Sequence, residues 1–349
     1  MTYTLYGAGI SLFSGKARSY LRWKQVDFSE VSTNTDIMKT RLLPVIGWPV
    51  IPVVETQDNK FIQDTADIID HIEAEQSGAS VYPEGPVQRF VTELLHLYAD
   101  QWLTLPAMHY RWFYNETWVL EEFGKLAAPD ADRETQIAIG NKRGAMFKAM
   151  VPMLGVTPDT APAIEASYLG FLDDFSAHLE TYDFVFGGRP SLADFAFYGP
   201  LYAHLYRDPK SGEIMRAHAP KVAAWVERLR DGDYEPGDLI AGDEIPETLY
   251  PILRRHNIEH LPVLEATNKL LDQFSGDDLP RALGMASFEM EGISGQTIAR
   301  PFSLFRLQRA LDQYNPICNP ILEKTGGEAL KHFKIAKRLE RRNYKLAIA

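Results

Sequence analysis

Cysteine is almost absent from this sequence, in which Cys318 is the single example among 349 residues. A disulfide needs two cysteines in the chain, and a cysteine-based zinc cluster needs several. The sequence therefore excludes an internal disulfide framework and a zinc site built on cysteines. We expect a protein of a reducing, cytoplasmic compartment.

Long hydrophobic runs and an excess of positive charge are also lacking. No apolar run reaches the roughly 18 residues that a membrane span needs. The N-terminus begins directly with a predicted strand and shows neither the basic nor the apolar region of a secretory signal. Acidic residues outnumber basic ones by 47 to 36, for a net charge of −11. We therefore expect no membrane partner and no nucleic-acid partner.

One local exception to this acidity lies near the C-terminus, where residues 331–345 read KHFKIAKRLERRNYK. Such a segment is either the solvated face of a helix or a surface that binds acidic groups. The solvated face is the commoner of the two.

The length and the residue patterns indicate two domains followed by an extension. Residues 1–80 alternate predicted strands and helices, and residues 87–232 contain long helical patterns without a convincing strand. Residues 233–349 form the extension, with a long helix, a β-hairpin around Gly-Ile-Ser-Gly and further helices predicted. The linker before the second domain reads VYPEGP.

The stretch YTLYGAGISLFSGKARSYLR, residues 3–22, organises the first domain. It predicts a strand, a glycine-containing turn and a helix whose first turn carries Ser11 and Ser14. Unpaired backbone N–H groups at a helix start attract anions. A hydroxyl at this position either caps the helix or also contacts a negatively charged ligand.

A second helix start follows a strand interrupted by proline. Residues 50–55 read VIPVVE, and Pro52 cannot donate a ladder hydrogen bond, so it lies at an edge, at a bulge or after a cis bond. A short strand at residues 60–62 completes a hairpin. Asp64 or Thr65 then caps the helix ADIIDHIEAE.

Three of these segments, SLFSGKAR, VIPVVE and QDTADIIDHI, together resemble the glutathione transferase superfamily. The box formed by Ser191 and Asp194 resembles the start of the central helix in that family's second domain. The resemblance covers residues 1 to about 232. It implies an α/β plus all-α fold, in which a thioredoxin-like domain precedes an all-helical domain, here with a mixed α+β extension.

The resemblance also implies roles for individual residues in binding glutathione. Ser11 matches the serine that donates a hydrogen bond to the glutathione sulfur, and Ser14 matches the second serine of the motif. Tyr6, at the end of the first strand, is a rival hydroxyl. Asp64 and Thr65 match the pair that binds the γ-glutamyl end of glutathione, and Ile51 precedes the cis proline, Pro52.

The sequence departs from the family where many members carry Gly-Lys before the strand proline, because this chain has Trp48-Pro49. Lys39 or Arg41 is the predicted substitute as the basic partner of the glycine carboxylate. The predicted pocket for the second substrate lies on an aromatic helical stretch: Tyr98, Trp102, Tyr110, Arg111 and Trp112. Most aromatic residues on helices belong to the core, so each of these is individually more often a packing residue.

A short pattern, His256-Asn-Ile-Glu259-His260, matches a zinc-protease spacing. No third ligand accompanies it, and we predict no metal.

We therefore predict a cytoplasmic, homodimeric glutathione transferase of a detoxification type. It would activate the glutathione thiolate for attack on a hydrophobic, aromatic electrophile. Lyase, isomerase or peroxidase chemistry with glutathione as co-substrate is open to the same site. The alternative is a non-catalytic ligand-binding or assembly module with the same fold.

Overall fold

The structure, a computed structural model, describes residues 2–232, 234–235, 237–274, 279–314 and 316–325. The basic segment 331–345 lies outside these residues. The predicted fold class is confirmed: a mixed sheet with helices is followed by helical segments and by an extension that contains strands.

Six strands occur in the described part of the chain: β1 (Tyr3–Gly7), β2 (Phe28–Ser32), β3 (Val53–Glu55), β4 (Phe61–Gln63), β5 (Gly284–Met290) and β6 (Ile293–Ala299). The α-helices of the first half are α1 (Leu12–Trp23), α2 (Thr35–Ile37), α3 (Leu43–Ile46), α4 (Thr65–Glu75), α5 (Pro86–Gln101), α6 (Thr104–Tyr114), α7 (Glu116–Ala127) and α8 (Arg133–Met150). Those that follow are α9 (Ala161–His178), α10 (Leu192–Pro200), α11 (Pro209–His218), α12 (Pro220–Asp231), α13 (Tyr250–Arg255), α14 (Leu261–Leu271), α15 (Pro301–Gln313) and α16 (Asn319–Thr325). None of the helices described is both long and apolar enough to span a bilayer.

The first four strands form one sheet in the order β2-β1-β3-β4. Strand β2 runs parallel to β1, whereas β3 is antiparallel to both β1 and β4. The sequence analysis did not identify β2 as a strand. The segment FSEVS leaves Ser29, Glu30 and Ser32 exposed, so it lacks an apolar alternation that would mark a strand.

Residues 12–23 form helix α1 with one buried face, because their apolar residues recur at helical spacing. Leu12, Ala17, Tyr20 and Leu21 are buried, so one face of the helix packs into the interior. The Tyr20 ring meets Phe195 edge to face at 5.7 Å. This packing anchors α1, whose first turn follows the end of β1.

The described residues fall into two compact units. One contains residues of the ranges 1–81, 110–149 and 195–235, and the other contains residues of 82–109, 150–194 and 236–349. The second unit thus combines the extension with helices from the predicted middle domain. The boundaries predicted at 1–80, 87–232 and 233–349 stay predictions.

The ring of Phe288 packs the β5–β6 hairpin against the rest of the second unit. Phe288 lies opposite Gly295 in the antiparallel pair and edge to face with Trp102 at 5.4 Å. A Cβ on Gly155 would lie 2.7 Å from this ring, so the glycine makes room for it. The hairpin turn lies at Glu291 and Gly292, a little before the predicted Gly-Ile-Ser-Gly centre.

Candidate active site

Ser11 is the N-cap of α1 and is half-buried. Its backbone is extended, with φ −90° and ψ 124°, and its Oγ accepts a hydrogen bond from the backbone N–H of Ser14 at 3.3 Å. A hydroxyl holds two acceptor lone pairs and one donor. The cap uses the oxygen as an acceptor, so the O–H remains available to donate to a ligand at the helix N-terminus.

Ser14 is fully buried. Its Oγ accepts from the backbone N–H of Ala8 at 3.3 Å, and a Cβ on Gly7 would lie 3.1 Å from this Oγ. Ser14 therefore ties the turn after β1 to the first turn of α1. The residues of the motif that predicted a ligand site thus also build the turn at that site.

The rival hydroxyl, Tyr6, is already engaged. It donates to Glu55 Oε2 at 2.8 Å, and Glu55 also forms an ion pair with Arg41. Burial, followed by the hydrogen bond to Glu55, raises the pKa of Tyr6. Tyr6 is thus a poorer candidate than Ser11 for stabilising a thiolate.

The basic residues proposed for the glycine carboxylate differ in availability. The guanidinium of Arg41 pairs with Glu55 and lies 5.2 Å from the centre of the Phe61 ring, although its side chain is 49% exposed. Lys39 is exposed on the π-helical segment Met38–Leu42. Lys39 is therefore accessible to a ligand, whereas Arg41 would share its charge with Glu55.

The second helix start is built by Asp64, whose Oδ1 accepts from the backbone N–H of Ala66 at 2.8 Å. Asp64 has φ +86° and ψ 129°, a conformation that costs free energy for a non-glycine residue. Thr65 is buried beside it as the first residue of α4. The peptide bond between Ile51 and Pro52 is cis. These residues and the two serines all belong to the compact unit that contains the four-stranded sheet.

Arg207 lies close to the turn before α1, and the sequence analysis did not identify it. Its guanidinium carbon lies 4.0 Å from the place where a Cβ on Gly9 would stand, beside the turn before α1. Its Nη2 pairs with Glu122 at 2.9 Å, which offsets part of its charge. Nearly two hundred residues separate Arg207 from this turn, so no local pattern signals the contact.

Two of the predicted pocket residues lie in the second unit, where both are buried. Tyr98 contacts His256 edge to face at 5.6 Å. Trp102 donates from Nε1 to Glu259 at 2.9 Å and stacks on His260 at 5.2 Å. The His-x-x-Glu-His residues are thus engaged in packing and hydrogen bonds, and His256 and His260 share a 3.3 Å contact between their Nδ1 atoms.

The other three predicted pocket residues, Tyr110, Arg111 and Trp112, are buried in the first unit. Arg111 makes a two-pronged ion pair with Asp208, both N–O distances being 2.7 Å. It also donates to the backbone oxygens of Ile10 and Ala203. An acidic substrate would have to break these bonds, and the pocket role of all five residues stays a prediction.

No group of three or more His, Cys, Asp or Glu side chains that could hold a metal ion occurs within the described ranges.

Comparisons with known proteins bear on two parts of the chain. The family profile described as "Glutathione S-transferase, N-terminal domain" matches residues 5–80, and the one described as "Glutathione S-transferase, C-terminal domain" matches residues 158–228. A search of curated proteins finds none that matches the chain.

Several solved structures are similar to this chain at low identity. A glutathione S-transferase from Rhodospirillum rubrum is 18% identical over 70% of this chain and 96% of its own, with a TM-score of 0.43. The β-etherase LigF from a Sphingobium species is 19% identical over 66% of this chain and 95% of its own, with a TM-score of 0.49. FzlA from C. crescentus is 20% identical over 70% and 98%, with a TM-score of 0.43.

Proposed function

Because the chain belongs to the glutathione transferase superfamily, we propose that it is a glutathione transferase that uses Ser11 to activate the thiol. Its second substrate is a hydrophobic, aromatic electrophile. The proposal concerns the catalytic role and the substrate class, which family membership alone leaves open.

The observation that carries this proposal is the position of Ser11. A free thiol has a pKa of about 8.5 and is mostly protonated at neutral pH, whereas the thiolate is the nucleophile. The N-terminus of α1 and a donated O–H both favour the negative sulfur over the neutral one. Ser11 supplies both, because it caps α1 through its oxygen and keeps its proton for a ligand.

The rest of glutathione would extend over the same unit. The backbone of Ile51 would pair with the peptide, and Asp64 and Thr65 would bind the γ-glutamyl end at the start of α4. A carboxylate at a helix N-terminus is stabilised by the helix dipole and the backbone N–H groups. Lys39, with Arg41 as a weaker partner, would bind the glycine carboxylate.

In the chemical step the thiolate sulfur attacks the electrophilic carbon and forms a carbon–sulfur bond. The leaving group departs with the electron pair of the broken bond, or an activated double bond takes up the pair and then a proton. The O–H of Ser11 stays with its oxygen and stabilises the sulfur before attack. Ether cleavage, isomerisation and peroxide reduction can use the same thiolate.

A second function is a non-catalytic module that binds a ligand or assists assembly. It is favoured by the weakness of the basic site for the glycine carboxylate of glutathione. Trp48-Pro49 replaces a lysine of the family pattern, and Arg41 is paired with Glu55. Both features reduce the attraction for a carboxylate.

Calorimetric titration with glutathione, together with turnover assays on a panel of aromatic electrophiles, separates the two functions. Binding with turnover on at least one acceptor supports the transferase. Binding without turnover on any acceptor supports the module, and no binding at millimolar glutathione contradicts the transferase.

Family resemblance is also the basis for proposing a homodimer in the cytoplasm. Sedimentation of the purified full chain tests the oligomeric state, and a monomer mass at micromolar concentration would contradict the dimer.

A further inference from the structure

A large groove crosses the second unit, whereas the residues proposed to bind glutathione belong to the first unit. It has a volume of about 1710 Å³ and lies between the β5–β6 hairpin, helix α9 and the segment that starts at α13. Sites for small molecules usually measure about 300–1,000 Å³. The groove is therefore of a size for a stretch of polypeptide.

The lining of the groove is acidic. Arg254, Arg255 and Lys324 are its basic residues. They face twice as many carboxylates: Asp159, Asp174, Glu247, Glu259, Glu289 and Glu291. The groove thus favours an occupant with several positive charges.

The guanidinium of Arg255 is shared among three of these carboxylates. It contacts Asp174 at 3.1 Å, Glu259 at 3.3 Å and Glu291 at 3.2 Å. One positive charge cannot neutralise three negative ones. Glu289 on β5 is exposed, as is Asp159 beside α9.

The groove also offers apolar contacts. Ile258 is 61% exposed and Met285 is 40% exposed, and both line the groove. An occupant that matches this surface alternates basic and apolar side chains.

The described chain ends at the rim of this groove. Lys324 of α16 lines it and lies 3.9 Å from Glu247. Asn257 holds the end of α16 in place by donating to Thr325 Oγ1 at 2.8 Å. Residues that follow Thr325 therefore start next to the acidic lining.

Residues 326–349 combine basic and apolar side chains, which complement the acidic and apolar lining of the groove. They contain two acidic residues, Glu328 and Glu340, and seven basic ones: Lys331, Lys334, Lys337, Arg338, Arg341, Arg342 and Lys345. Apolar residues such as Phe333 and Leu339 stand between the charges. Only five residues separate Thr325 from Lys331, so a span of up to about 20 Å brings the first lysine to the lining.

We propose that the groove binds this chain's own basic segment, residues 331–345, in the same molecule. The attachment at Thr325 gives the segment a high effective concentration at the groove, of millimolar order for a short connection. Modest ion pairs are therefore enough to hold it. Such pairs are screened by salt, since the Debye length falls from about 10 Å at 0.1 M to about 3 Å at 1 M.

Zero-length coupling of lysine to carboxylate with a water-soluble carbodiimide tests the contact in the full chain. The protein is prepared as an equal mixture of ¹⁴N and ¹⁵N forms, and the linked peptides are identified by mass spectrometry. We expect amide links from lysines of 331–345 to Glu247, Glu289 or Glu291, with both peptides carrying the same isotope. Their yield should fall several-fold in 1 M NaCl.

Three outcomes would overturn the proposal. Links that join a ¹⁴N peptide to a ¹⁵N peptide would assign the groove to the tail of a second copy. Links that form equally with Glu180 and Asp272, which are exposed in the same unit but outside the groove, would show nonspecific attraction. The absence of any link between the segment and the groove would leave the groove to a separate basic partner.

Charge reversal in the groove gives an independent measurement. In the variant Glu247→Lys, Glu289→Lys, Glu291→Lys, chymotrypsin should cleave after Tyr344 at least about threefold faster than in the parent, because attraction becomes repulsion. The matched control, Glu180→Lys with Asp272→Lys, should be cleaved at the parental rate. Glu289→Lys alone replaces the triple variant if that variant fails to fold, and an unchanged rate in a folded groove variant contradicts the proposal.

Discussion

The Oγ of Ser11 accepts the backbone N–H of Ser14 at 3.3 Å, while Ser14 itself is fully buried. Two serines of one motif thus have different surroundings. Ser11 faces the N-terminus of α1 with its donor unused by the cap, whereas Ser14 joins the turn after β1 to the helix.

Turnover should depend on Ser11. Ser11→Ala removes the donor to the sulfur and should lower kcat/KM for glutathione conjugation about 10²–10³-fold. It also removes the N-cap, which should lower the free energy of unfolding by about 1 kcal/mol. Steady-state kinetics and urea unfolding measure the two effects.

Two matched variants separate the effects of Ser11. Ser11→Asp keeps a cap acceptor but has no proton to donate at neutral pH, so it should keep stability while turnover stays low. Ser14→Ala should lose stability and retain most of its turnover. Loss of turnover in Ser14→Ala alone would reassign the role to Ser14.

The buried pair of Arg111 and Asp208 should be costly to break from one side. Arg111→Met leaves the Asp208 carboxylate buried without its guanidinium, and we expect a loss of about 3–5 kcal/mol in the free energy of unfolding. Adding Asp208→Asn should recover part of this loss, because it removes the unpaired charge. Urea unfolding of the full chain provides the measurement.

An exposed ion pair in the same unit serves as the control. Lys148 and Glu116 are paired at 2.6 Å with side chains 56% and 37% exposed, so Lys148→Met should cost about 0–1 kcal/mol. Equal losses for Arg111→Met and Lys148→Met would contradict the structural role of the buried pair.

Acid should destabilise the fold through His178. This imidazole bonds with Thr248 and with the backbone oxygen of Phe184, and burial lowers its pKa to about 4. The unfolded imidazole takes up a proton near pH 6.5, but the folded one does so only near pH 4. Its contribution is therefore complete above pH 6.5 and is lost as the pH falls, by about 2 kcal/mol between pH 7 and 5.

Urea unfolding at pH 7 and pH 5 measures this loss. His178→Gln should reduce the difference between the two pH values, although other buried histidines keep part of it. The exposed His218 is the matched control, and His218→Gln should leave the difference unchanged. An unchanged difference in His178→Gln would assign the acid sensitivity to other groups.

Gly155 should tolerate no side chain. Its φ is +90°, and a Cβ would lie 2.7 Å from Phe288 and 2.9 Å from the backbone oxygen of Gln296. Gly155→Ala should therefore lower stability by roughly 2–4 kcal/mol, the sum of backbone strain and overpacking. Gly292 has φ +76° with nothing within 4 Å, so Gly292→Ala should show the backbone part alone, about 1–2 kcal/mol. Thermal unfolding compares the two, and equal losses would exclude a packing effect at Phe288.

The features that the sequence predicts are those specified by short motifs. A cap at Ser11 or Ser14, a cap at Asp64 or Thr65 and the box at Ser191 follow from local hydrogen-bonding rules, and the structure selects Ser11 and Asp64. In the structure the backbone N–H of Ser191 donates to Asp194 Oδ2 at 2.8 Å, and the Ser191 hydroxyl donates to the same oxygen. Local chemistry predicted this contact because the two partners are three residues apart.

Other features depend on partners far away in the chain. Strand β2 is polar and exposed, and it becomes a strand because β1 offers it a parallel ladder. Arg111 meets Asp208 across 97 positions, and Arg207 approaches the turn at Gly9. No spacing rule links such residues.

By itself the sequence determined the strand, the glycine turn and the serine cap at the start of α1, since neighbouring residues specify all three. The tertiary structure decided which of these side chains stay available. Burial and long-range pairing engage Ser14, Tyr6 and Arg111, because buried polar groups must find hydrogen-bond partners. The same long-range packing places the extension's hairpin beside α9 and so creates the acidic groove. No local sequence pattern predicts this groove, because its walls come from distant parts of the chain.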